Sequence, residues 1–115
     1  MDKIIKYTLN LKKIHCYLPD EDDADEIFIK YNGNKIWPEE KFIAMKEGAA
    51  VIGYNLKIDK GTVAEFEIWD YDNFTSNDLL GTVRIVADAV GGPFTSDMIK
   101  KDSGNSRYAI EWEIN

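Results

Sequence analysis

The 115 residues include one cysteine, one histidine and three prolines. A lone Cys16 can form no intramolecular disulfide, so the sequence leaves the redox compartment open. A lone His15 has no second histidine with which to build a zinc site, and no Ser/His/Asp or Cys/His arrangement accompanies it. Long apolar runs are also missing. No segment is long enough to cross a bilayer, and the opening MDKIIKYTLNLKK interrupts its apolar residues with Lys and Asn, unlike a signal peptide. The expected compartment is therefore the cytoplasm, with peripheral membrane association or signal-free export as the other routes.

Positive charge is scarce too. Fourteen Lys and Arg stand against 21 Asp and Glu, a formal net charge of -7. Nucleic acid is excluded as a partner, because neutralising phosphates requires a basic face. The same balance opposes docking on an anionic membrane by charge alone, unless a bound divalent cation reverses the sign locally. Apolar residues at 44% and charged residues at 30% are ordinary for a soluble globular protein, and the length suits one domain over residues 1–115.

What the sequence does have is alternation with a period of two, the mark of half-buried strands. YAIEWEIN places Tyr108, Ile110, Trp112 and Ile114 on one face. TVAEFEIWD does the same with Ala64, Phe66 and Ile68, YNLKID with Tyr54, Leu56 and Ile58, and EIFIKY with Ile27, Ile29 and Tyr31. LLGTVRIVA reads as a further strand. Near the N-terminus the odd parity of Ile5, Tyr7, Leu9 and Leu11 gives way to the even parity of Ile14, Cys16 and Leu18. The slip at Lys12–Lys13 means either a β-bulge or a break between two short strands. Asn32-Gly33-Asn34 is a hairpin signal, and DKGT at 59–62 joins two strands. PFTSDMIKK at 93–101 reads as a short helix capped by Thr95 or Ser96. The expected fold is an all-β antiparallel sandwich of seven or eight strands with one short helix.

Nine of the 21 acidic residues fall in two short stretches. DEDDADE (20–26) precedes the strand that begins near Ile27, and Asp70, Asp72 and Asp78 lie in WDYDNFTSNDLLG (69–81) between two strands. Acidic runs are usually hydrated turns. Here, however, two such loops can meet at one end of a sandwich, and calcium takes about 6–8 oxygen ligands at about 2.3–2.6 Å from flexible, Asp-rich loops. The stretch is not an EF-hand, because Phe74 and Thr75 stand where that motif needs a ligand and a glycine.

The spacing D-x-D-x(5)-D followed by Leu-Leu-Gly resembles the third calcium loop of C2 domains, with FEIWDYD before it and LLGTVRI after it in register. LPDEDDADEIFIKYNG is similar to the first C2 calcium loop. The resemblance implies a C2-like Greek-key sandwich in which Asp25, Asp70, Asp72 and Asp78 coordinate Ca2+. It also implies a second first-loop ligand, for which Asp20 is nearest and Asp22 and Asp23 are the alternatives. Two positions depart from the family pattern. Glu26 replaces the usual proline, and MKEGAAV (45–51) lacks the usual Asn-Pro. Phe74 occupies the third-loop apex, where membrane-docking members carry an apolar residue that contacts lipid. The first-loop apex, Glu21 to Ala24, has nothing to insert, and no lysine-rich strand of the kind some C2 domains use for phosphoinositides stands out.

The reading is a non-enzymatic calcium-binding module that docks to phospholipid or to a protein partner. The alternative is a calcium-independent C2-like interaction module of a larger assembly, working through a sheet face or edge near Trp37. A metal-dependent hydrolase would need a general base or nucleophile beside the acidic loops, and the sequence offers none there. His15 and Cys16 read as ordinary sheet residues.

Overall fold

The computed structural model describes residues 3–101 and 104–115. Ten strands form among them: β1 (Lys6–Leu18), β2 (Asp25–Tyr31), β3 (Asn34–Trp37), β4 (Ile43–Met45), β5 (Gly48–Asp59), β6 (Val63–Asp70), β7 (Asp78–Val86), β8 (Gly91–Asp97), β9 (Ile99–Lys100) and β10 (Arg107–Ile114). One antiparallel sheet has the order β5-β1-β10-β8. The other runs β3-β2-β6-β7-β9, with β4 also paired to β2. The chain repeatedly crosses between them, at β1–β2, β4–β5, β5–β6, β7–β8, β8–β9 and β9–β10. Strands from both sheets therefore turn their apolar faces onto a shared core.

That core follows the alternation. Ile27 and Ile29 of β2, Phe66 and Ile68 of β6, and Tyr108, Ile110 and Ile114 of β10 are each at most 2% exposed. Together with Leu9, Leu11, Ile14 and Cys16 of β1 they form one apolar cluster between the sheets. Trp37, on the edge strand β3, packs into the same cluster, so it is a core residue and offers no exposed aromatic to a partner.

The phase slip at Lys12–Lys13 is a bulge in one continuous strand. Register shifts between Leu11 and Lys13 against both neighbours, β5 and β10. Asn32 and Gly33 take positive φ, 51° and 78°, in the tight β2–β3 turn, as two-residue hairpins require.

The short helix expected over 93–101 is not formed. Those residues make β8 and β9, and no helix occurs among the described residues. β8 pairs with β10, the Phe94 ring lies 5.0 Å from that of Trp112, and the Ser96 hydroxyl accepts from the Trp112 indole N–H at 2.9 Å. Met98 is buried while Ile99 is 64% exposed. Met98 lies in the one-residue break between β8 and β9, where its backbone N–H donates to the Tyr108 carbonyl at 2.9 Å. Pairing with β10 outweighs the weak cap signal of Thr95 and Ser96. The strand count rises above seven or eight because short β3, β4 and β9 pieces are added at the sheet edges.

Candidate functional site

Adjacent strands bring the two acidic loops together. Asp25 opens β2 and Asp70 closes β6, and these strands pair with Ile27 opposite Asp70. Two hydrogen bonds fix the junction, one between backbones and one from backbone to side chain. Tyr71 N–H donates to the Glu26 carbonyl at 2.7 Å, and Glu26 N–H donates to Asp70 Oδ1 at 2.9 Å. The first acidic loop (19–24) and the β6–β7 loop (71–77) therefore lie at the same end of the sandwich.

Two carboxylates sit inside the protein there. Asp25 is 0% exposed and Asp70 is 5% exposed. Asp25 accepts from the backbone N–H groups of Asp20 at 2.8 Å and Glu21 at 3.1 Å, and from the Tyr108 hydroxyl. Asp70 accepts from Glu26. Burial pushes its pKa up to about 7, and the neighbouring charges of Asp25, Glu21 and Glu26 add to the rise, against the Glu26 hydrogen bond. Glu21 reaches in from the first loop. Its pKa is also raised, by partial loss of water and by the charges of Asp25, Asp20, Glu26 and Asp72.

Carboxylate oxygens of Glu21, Asp25 and Asp70 lie within 4.8 Å of one another. Two oxygens that share an ion at about 2.3–2.6 Å can be at most about 5 Å apart, so this spacing fits a common calcium ion. The donor set is all hard oxygen, as calcium prefers.

The other sequence-predicted ligands are placed as follows. Asp72 lies at the start of the β6–β7 loop, where its Oδ1 accepts from Phe74 N–H at 2.8 Å and Thr75 N–H at 3.2 Å. Those bonds hold its pKa below the usual carboxylate value. Asn77 closes the same loop by accepting Asp72 N–H at 2.9 Å. Asp78 opens β7 directly opposite Asp70 and is exposed. Asp20 contributes its backbone N–H to Asp25, while its side chain, like those of Asp22 and Asp23, is exposed. Asp20, Asp22, Asp23, Asp72 and Asp78 all lie outside the tight three-residue group. Phe74 is 96% exposed at the loop tip.

Residue-by-residue reading of the sequence did not single out Glu21 or Tyr108. It also gave no sign of a cationic groove beside the loops, lined by Phe28, Lys30, Lys35, Lys41, Tyr71 and Asn77. Lys30 Nζ lies 4.8 Å from the Trp69 ring centroid, and Lys41 Nζ lies 6.0 Å from that of Tyr71. These lysines come from β2, β3 and the β3–β4 connection, and only the hairpin brings them together.

Comparison with solved structures decides the architecture. A C2 domain of plant extended synaptotagmin 1 superposes with a TM-score of 0.55 at 11% identity, covering 100% of this chain and 97% of that one. The fold is that of a C2 domain. A second C2 domain structure aligns at 14% identity with a TM-score of 0.46, over 96% of this chain and 99% of that one. No family model matches the sequence, and no curated protein matches it. Within the C2 fold, the two acidic loops occupy neighbouring strand connections at one end of the sandwich, on either side of the β2–β6 pair.

Proposed function

We propose that this protein is a calcium-binding module whose acidic end docks on an anionic phospholipid surface once a cation has neutralised it. The observation that carries the reading is the convergence of Asp25 and Asp70, two buried carboxylates on adjacent strands, with Glu21 within 4.8 Å. Buried like charges repel and are costly unless something compensates them. A divalent cation would supply that compensation. Glu21, Asp25 and Asp70 are the residues that would hold it, and Asp72 from the β6–β7 loop and Asp78 at the start of β7 are the further carboxylates that could complete its shell. The ion contributes local positive charge, which an anionic headgroup can approach.

The rest of the surface supports this direction. Phe74 projects from the loop beside the acidic group, and the lysines of the adjacent groove offer a second contact to anionic lipid. The reading is of a binding module rather than an enzyme. Cys16 is buried and burial pushes its thiol pKa up, while His15 lies on β1 with its ring 6.1 Å from that of Tyr17 and Nε2 3.4 Å from Glu111.

One observation favours the calcium-independent interaction module instead. Asp25 and Asp72 already close their own loops through backbone hydrogen bonds, so neither loop needs an ion to hold its shape. Calorimetric titration with calcium separates the two readings. Heat that saturates, and that weakens in Asp70→Asn, supports the calcium module. A flat titration at millimolar calcium leaves the interaction module standing.

A further inference from the structure

Resting on the calcium reading, a second inference concerns a residue that touches no cation. A carboxylate has about four lone-pair positions, two on each oxygen. At Asp25, Oδ2 accepts from Asp20 N–H and from the Tyr108 hydroxyl, and Oδ1 accepts from Glu21 N–H. Three positions are thus taken, and the one left is on Oδ1.

The three donors differ in how firmly they are held. Those of Asp20 and Glu21 belong to an exposed loop. Tyr108 belongs to β10, which is paired on one side with β1 and on the other with β8. It is 2% exposed and sits directly opposite Cys16 in the β1–β10 register. Its hydroxyl reaches out of its own sheet, across the core, to the first residue of β2 in the other.

We propose that Tyr108 is a positioning residue for the cation site: it pins Asp25 Oδ2 from the opposite sheet and leaves Oδ1 as the single ligating oxygen. Groups that orient metal ligands in this way typically change metal affinity by about 10–100-fold when they are removed.

Tyr108→Phe removes only the hydroxyl, and Ile110→Val, on the next inward-facing position of β10, is the control for loss of core packing. Calcium titration of wild type and both variants is run with thermal melts of each. Tyr108→Phe is expected to weaken calcium binding on the order of tenfold, whereas Ile110→Val lowers the melting temperature and leaves calcium affinity unchanged. In wild type, the Tyr108 hydroxyl proton is expected as a slowly exchanging NMR resonance that shifts when calcium is added. Tyr108→Phe binding calcium like wild type, or a hydroxyl resonance indifferent to calcium, overturns the positioning role alone. A wild type that binds no calcium overturns the site reading and the positioning role with it.

Discussion

The hydroxyl of Tyr108 donates to the carboxylate of Asp25 across the sandwich, joining residues 83 positions apart in sequence. One end of the core is thereby polar. A buried acid at the start of β2 is held from the opposite sheet, and a second buried acid, Asp70, lies at the end of the neighbouring strand β6.

Asp70 should make the cation-free protein pH-sensitive. Its carboxyl holds a proton up to about pH 7 when folded, against an ordinary 3.8. Between those values the folded state binds the extra proton. The stabilisation is fully present below the lower value and is lost as pH rises through about 7. In chelator, the melting temperature of wild type should therefore fall between about pH 5 and pH 7.5 relative to that of Asp70→Asn, measured by circular dichroism.

If calcium binds at Asp70 as proposed, it competes with the proton for the same carboxylate. Calcium affinity should fall by up to about tenfold per pH unit below about 7, as each binding event displaces one proton, and should level off above it. Titrations in buffers of different ionisation heat would count the protons released.

Gly81 follows Leu79-Leu80 in β7 and lies opposite Lys100 of β9. A Cβ there would meet Met98 Cγ at 2.7 Å and overlap the backbone carbonyl of Ile99. Gly81→Ala should cost about 1–3 kcal/mol in a urea melt, as overpacking of a buried site does, by forcing β9 away. The glycine in the Leu-Leu-Gly motif is thus explained by close packing of two strands.

Phe74 is almost wholly exposed, so Phe74→Ala should leave the melting temperature unchanged. It should reduce calcium-dependent sedimentation with phosphatidylserine vesicles. Lys30→Ala with Lys41→Ala should reduce the same sedimentation while leaving calcium titration intact, and added salt should imitate that loss.

Much of the architecture was legible because it is local. Alternation marked most of the longer strands, the parity slip at Lys12–Lys13 marked the bulge in β1, and Asn32-Gly33 marked the hairpin. What was missed depends on distant partners. β8 is a strand because Phe94 and Ser96 meet Trp112, and a capped turn of helix fits the same residues when β10 is out of view. At the site, Asp70 could be read from its place at the end of a strand, and Asp25 only from the resemblance to the first C2 loop. Glu21 was hidden in a run rich in acids, and its longer side chain reaches the buried pair. Tyr108 read as one more inward residue of an alternating strand, since alternation reports which way a ring points and not what its hydroxyl meets. Lys30, Lys35 and Lys41 are spread along the sequence and converge only through the β2–β3 hairpin.

The central claim is that calcium binds the acidic end of the folded protein. The most direct measurement is calorimetric titration of wild type and Asp72→Asn with calcium, with thermal melts of both at each calcium concentration. The account predicts saturable heat in wild type, weaker binding in the variant, and a melting temperature that rises with calcium, because a ligand selective for the folded state stabilises it. No heat and no shift in melting temperature at millimolar calcium would contradict it.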